Sequence, residues 1–190
     1  MSTAIESIAV EVGGMRFDVN RCGDASNEMI LFLHGFPQTS YSWRHQLPWL
    51  AEKGYYCVAP NQRGYSAGAR PNDVTDYATE LLVRDMVGLM VACGHNKAHV
   101  VGHDWGGMIA WLLAALHPGQ VRSLSVLSRP HPSAFRAAMA SDAAQADRSR
   151  HHRTFQDPEA ANVLLAENGK ALRTSMSSQH VPEADIDAYL

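Results

Sequence analysis

Short apolar runs alternate with longer stretches of helical spacing from residue 5 to about residue 128, the arrangement of an α/β fold. Residues 5–12 and 15–22 read as two strands around Gly13-Gly14, a two-residue hairpin signal. Met29-Ile30-Leu31-Phe32-Leu33 is too short for a helix and reads as a strand buried on both faces. Residues 56–59 and 98–101 repeat that type of run. Between them the pattern predicts helices over 42–53, with Pro48 as a break or a start, and over 79–93, closed by Gly94. A helix over 106–117, stopped by Pro118-Gly119, and a strand over 121–127 follow. Past Pro130-His131-Pro132 no run of β-branched residues returns before Leu190, so this part is expected to be helical or loop-like. Residues 1–132 and 133–190 are accordingly expected to be separate regions.

Composition narrows the function classes. With 46% apolar and 18% charged residues the chain has the material for a packed core, and a formal net charge of -3 provides no positive field to hold nucleic acid. The longest apolar stretch, near 108–116, falls well short of the ~20 residues of a membrane-spanning helix. The first residues show neither a basic nor an apolar signal region, so the cytoplasm is the expected compartment. Cys22, Cys57 and Cys93 lack a C-x-x-C spacing and read as reduced thiols. His45, His95 and His99 show no metal-ligand spacing, and no cofactor is implied.

The chemistry is concentrated in His99-Val100-Val101-Gly102-His103-Asp104-Trp105-Gly106-Gly107-Met108, where a strand enters Gly-x-Asp-x-Gly and leaves as a helix. This is a nucleophile-elbow pattern with Asp in the place of Ser. The sharp turn forces the central residue into a strained backbone, and its neighbours two positions away must lack bulk. A carboxylate suits displacement at saturated carbon, giving an alkyl-enzyme ester that water then hydrolyses. An oxyanion hole would serve the second step. His34-Gly35-Phe36-Pro37 follows the early buried strand, where such a hole draws one donor, so the backbone N–H groups of Phe36 and Trp105 are the expected pair.

With Asn61-Gln62-Arg63-Gly64-Tyr65-Ser66 and Pro130-His131-Pro132-Ser133-Ala134-Phe135 added, these phrases resemble the α/β-hydrolase superfamily and, within it, the epoxide hydrolases. The resemblance implies an α/β-hydrolase fold: a mostly parallel sheet with flanking helices and an N-terminal hairpin, then part of a helical cap from Ser133. It implies Asp104 as the nucleophile and a small-molecule epoxide as substrate. Dehalogenases share the elbow. Many haloalkane dehalogenases carry Asn where Phe36 stands, and fluoroacetate-type enzymes usually carry Arg where Trp105 stands, so the epoxide hydrolases fit better.

Three departures from the family pattern stand out. Relatives place a cap tyrosine four residues before a Phe-Gln pair; here Phe155-Gln156 is preceded at that spacing by His151, which could donate the same hydrogen bond or belong to a solvated basic face. Asn61 stands where relatives commonly carry Asp. More seriously, the family mechanism needs an acid and a histidine on loops after later strands, and the sequence holds neither strand. His131 or His180 with Asp185 or Asp187 has no strand to position it. Element sizes put the missing part at roughly 60–100 residues, so the chain reads as shortened at its C-terminus with the last strands of the sheet absent. Three readings stay open: an epoxide hydrolase, a dehalogenase, or a non-catalytic protein whose 121–127 edge would invite self-association.

Overall fold

A computed structural model describes residues 3–190. Strand β1 (Glu6–Val12) pairs antiparallel with β2 (Met15–Cys22), with Val12 opposite Met15. Gly13 and Gly14, at φ of 59° and 78°, make the two-residue turn, and positive φ at both positions matches the right-handed twist of the strands. The remaining strands are β3 (Met29–Leu33), β4 (Tyr56–Pro60), β5 (Ala98–His103) and β6 (Val121–Leu127). They build one sheet in the order β1-β2-β4-β3-β5-β6, parallel from β4 onward.

Every residue of β3 and β4 is buried, and alternate residues serve opposite faces. Met29, Leu31, Leu33, Tyr56 and Val58 join one core with Leu82, Met86, Ile109 and Leu113. Ile30, Phe32, Cys57 and Ala59 join the other with Trp43, Leu47 and Ala51. The first core lies under α2 (Thr79–Ala92) and α3 (Trp105–Leu116), the second under α1 (Gln46–Ala51). Such two-sided burial is why these strands are continuous apolar runs. Cys22 and Cys57 are buried free thiols, and burial pushes the Cys57 thiol up to about 12.

The expected helix over 42–53 is divided. A 3-10 turn, Ser40–Trp43, comes first, capped by the Thr39 side chain accepting from the Tyr41 N–H, and α1 begins only at Gln46. Pro48 has no N–H to donate to residue 44, which breaks a continuous helix but is tolerated in the first turn of a new one. The helix α2 ends before Gly94, at φ 84°, and α3 begins one residue earlier than the pattern suggested.

The chain divides into two compact units, Met1–Arg129 and Pro130–Leu190. The second is helical: α4 (Pro132–Ser141), α5 (Ala143–Arg148), α6 (His151–Thr154), α7 (Ala160–Ser178) and α8 (Glu183–Tyr189). Asp142 caps α5 by accepting from the Ala144 and Gln145 N–H groups. Non-helical backbone at residues 166–169 interrupts α7, and Arg173 ties α7 to Asp187 of α8 at 2.6 Å.

Candidate active site

The end of β5 passes through Asp104 into α3. Asp104 holds φ 49° and ψ -113°, a conformation costly for a residue with a side chain. Its surroundings explain the glycines. A Cβ on Gly102 would lie 2.5 Å from the Gly106 carbonyl oxygen, and one on Gly106 would lie 2.3 Å from that of Leu33. A Cβ on Gly35 would meet Asp104 Cβ at 2.6 Å. Three backbone segments therefore touch with no side chains between them.

Asp104 is anchored on both sides through its main chain. Its N–H donates to the Leu127 carbonyl at the end of β6 at 3.2 Å, and its carbonyl accepts from the Met108 N–H at 3.1 Å. Its carboxylate does not cap the helix. Instead Oδ1 accepts from the Phe36 N–H at 3.2 Å. Trp105 is the first residue of α3, where a backbone N–H has no acceptor inside the helix. The structure thus brings Asp104, Phe36 and Trp105 to one point at the carboxyl edge of the sheet. Phe36–Pro37 is a cis peptide.

Beneath this point lies a buried polar layer. His34 is 1% exposed, and burial lowers its pKa to about 4, leaving the ring neutral at ordinary pH. Its Nε2 accepts from the Gln62 N–H at 3.2 Å, so Nδ1 carries the proton and donates to the Gly35 carbonyl at 3.0 Å. The His34 carbonyl accepts twice, from Gln62 Nε2 at 2.6 Å and from the Gly106 N–H at 3.0 Å. Tyr65 sets its ring edge-on to His34, 4.5 Å between centroids, and its pKa is raised by burial and then by the negative charge of Asp104.

The loop after β4 is fixed from outside. Arg63 makes two 2.7 Å bonds to Asp85 of α2, both residues being buried, and the pairing raises the guanidinium pKa. Asn61 Oδ1 accepts from the Ser40 N–H at 2.9 Å, a structural task that an amide performs as well as a carboxylate. Trp43 packs in the core against Phe32, and Trp111 donates to the Arg129 carbonyl at 3.3 Å. Sequence reasoning singled out Asp104, Phe36 and Trp105 but missed Gln62 and Tyr65. Both belong to the phrase from Asn61 to Ser66, and nothing in their spacing told which of them turns inward.

His151 belongs to the second unit. It is exposed, its Nδ1 lies 3.2 Å from the Arg148 carbonyl, and its ring neighbours are His152 and Phe155 at 4.6 and 6.0 Å. Among the described residues no helix is long and apolar enough to cross a membrane.

Residues 28–160 match the family model described as the alpha/beta hydrolase fold. Epoxide hydrolase 3 of Xenopus tropicalis is 39% identical over 159 residues, covering 84% of this chain and 43% of its own. Epoxide hydrolase A of Mycobacterium tuberculosis is 38% identical over 171 residues, covering 87% and 51%. The chain thus spans about half the length of these curated relatives. Among solved structures, an epoxide hydrolase of Bacillus megaterium in complex with an inhibitor superposes with a TM-score of 0.90 at 28% identity, covering 96% of this chain and 65% of that one. The epoxide hydrolase of Vigna radiata does so with a TM-score of 0.76 at 33% identity, covering 90% and 54%. With the strand order, the strained elbow and the family match in agreement, the chain belongs to the α/β-hydrolase family and is similar within it to the epoxide hydrolases.

Proposed function

We propose that this chain carries the nucleophile half of an epoxide-opening site, with Asp104 as the nucleophile and the N–H groups of Phe36 and Trp105 as the oxyanion hole. The observation that carries the reading is the Phe36 N–H to Asp104 Oδ1 bond on a strained elbow that bears a carboxylate. With Oδ1 held, Oδ2 attacks an epoxide carbon, the C–O bond of the ring breaks, and its oxygen leaves as an alkoxide that takes up a proton. Water then adds to Asp104 Cγ, the negative charge passing to the oxygen that faces the two N–H groups. Collapse releases the diol and restores the carboxylate. Deprotonating that water requires a general base.

In this reading residues 1–132 are the N-terminal part of the hydrolase core and 133–190 are part of a cap. His151 is the cap's hydrogen-bond donor to the epoxide oxygen. It is supported by its place four residues before Phe155 and by its exposure. With Nδ1 turned to the Arg148 carbonyl, it donates from Nε2 when the imidazole is protonated. Strand β6, outermost among the described residues, is the surface through which a second copy would pair. Its Val121, Leu124 and Val126 are half-buried, although Arg122, Ser123 and Ser125 make it less apolar than a run of hydrophobic residues. A monomer by sedimentation at working concentration would remove that element of the proposal.

The deciding experiment incubates the folded chain with styrene oxide and reads the mass of the peptide containing Asp104. An ester of one styrene oxide on Asp104, absent from Asp104→Asn, is expected, and it should persist if no base hydrolyses it. An unmodified peptide from a demonstrably folded sample would refute the assignment. A primary haloalkane run in parallel tests the dehalogenase reading, which predicts faster ester formation from the halide.

A further inference from the structure

The peptide unit that supplies the Phe36 N–H also contains the Gly35 carbonyl, so fixing one end of the unit aims the other. That carbonyl is held by His34 Nδ1–H at 3.0 Å, and the opposite end of the unit meets Asp104 Oδ1 at 3.2 Å. The orientation of His34 therefore sets the direction of the oxyanion donor. Two of the contacts that hold His34 come from Gln62. Its backbone N–H, at 3.2 Å from Nε2, dictates which ring nitrogen carries the proton. Its side-chain amide, at 2.6 Å, holds the His34 carbonyl against the end of β3, where the Gly106 N–H of the elbow helix also binds.

Gln62 does this at a cost to stability. It is 2% exposed, and its Oε1 is buried with no hydrogen-bond partner among the described residues. Turning the amide over would set Oε1 against the His34 carbonyl oxygen, so this orientation is the favourable one. An apolar side chain of similar size would fill the same space without a stranded acceptor. A residue kept only for packing would not be expected to bury such an atom.

We propose that Gln62 is a positioning residue for the oxyanion loop, acting through His34 to keep the Phe36 N–H directed at Asp104. The inference rests on the reading of Asp104 and Phe36 given above, and its effect on the loop can be measured separately. The main chain on either side of Gln62 is secured by the Asn61 N–H to Asp18 carbonyl bond at 2.8 Å and by Ser66 Oγ donating to the Asn61 carbonyl at 2.6 Å. A side-chain substitution therefore leaves the Gln62 N–H in place and isolates the amide's contribution.

The test uses Gln62→Leu and Gln62→Glu, with two readouts: amide exchange of Phe36 relative to wild type, and the rate of Asp104 ester formation with styrene oxide. In Gln62→Leu, Phe36 exchange should rise and ester formation fall by roughly fivefold to tenfold, the worth of one neutral hydrogen bond, while the melting temperature holds or rises. In Gln62→Glu the carboxyl can donate to the His34 carbonyl only when protonated. Phe36 protection relative to wild type should then be better at about pH 5 than at about pH 8. If wild type forms no ester, the catalytic reading fails, and the exchange ratios alone decide the positioning role. Phe36 exchange within about twofold of wild type in Gln62→Leu, against the change expected from a lost hydrogen bond, overturns it. Should Gln62→Leu fail to fold, a Gln62→Glu ratio that does not change with pH overturns it equally.

Discussion

Replacing Gly106 by alanine tests whether the elbow depends on backbone touching backbone. The added methyl would lie 2.3 Å from the Leu33 carbonyl oxygen, 2.5 Å from the Leu33 carbonyl carbon and 2.6 Å from the His34 carbonyl oxygen. None of these atoms ends a flexible side chain, so relief to ordinary contact requires the end of β3 and the start of α3 to part by about 1 Å. That separation stretches the 3.0 Å bond from the Gly106 N–H to the His34 carbonyl. Overpacking of this kind costs about 1–3 kcal/mol and the hydrogen bond about 1 kcal/mol more, giving a loss of about 2–4 kcal/mol. At about 2–4 °C per kcal/mol for a chain of this length, the melting temperature should drop by about 4–16 °C. Urea unfolding followed by circular dichroism measures the loss. Gly119→Ala is the control, because nothing lies within 4 Å of its Cβ position, and it should stay within about 0.5 kcal/mol of wild type. A Gly106→Ala variant as stable as Gly119→Ala would refute the close-approach account of the elbow.

Asp104→Gly should stabilise the chain by about 1 kcal/mol while abolishing ester formation, since relief of the strained φ outweighs the greater freedom of glycine in the unfolded chain; a lower urea midpoint would contradict this. Asp85→Ala strands the buried Arg63 guanidinium and should cost about 3–5 kcal/mol, with part recovered in the Arg63→Met/Asp85→Ala double variant, as a double-mutant cycle would show. His34 is held neutral in the fold with a pKa of about 4, below the ordinary 6.5, so the unfolded chain binds its proton first as pH falls. Stability should then decline between those two values by about 3 kcal/mol on account of this residue, and no further below them. Unfolding of wild type and His34→Asn at several pH values checks the point, and equal slopes for the two would assign the decline elsewhere.

Where burial is two-sided or a turn demands glycine, the sequence was legible. The continuous apolar runs of β3 and β4 and the Gly13-Gly14 turn left few alternatives, and the spacing of Gly102 and Gly106 about Asp104 announced the elbow. The expected helix over 42–53 was less secure, because its apolar spacing continues across Pro48 while its hydrogen bonds cannot. The inner polar layer was not legible at all. Gln62 and Asn61 are adjacent amides in one loop, yet one turns under His34 and the other accepts from Ser40. That choice depends on where β3, β5 and the elbow helix meet in space, which no local pattern records. The pairing of Arg63 with Asp85 across 22 positions was hidden for the same reason.

The bond from the Asp104 N–H to the Leu127 carbonyl ties the backbone of the elbow to the last residue of β6, the outermost strand of the sheet among the described residues. Strand ends fray more readily than strand centres, because fewer ladder bonds hold them. A residue with a strained backbone thus takes part of its main-chain support from the end of a neighbouring strand. Loosening of the β6 ladder near Leu127 should therefore be felt at the Asp104 main chain before it is felt in the core.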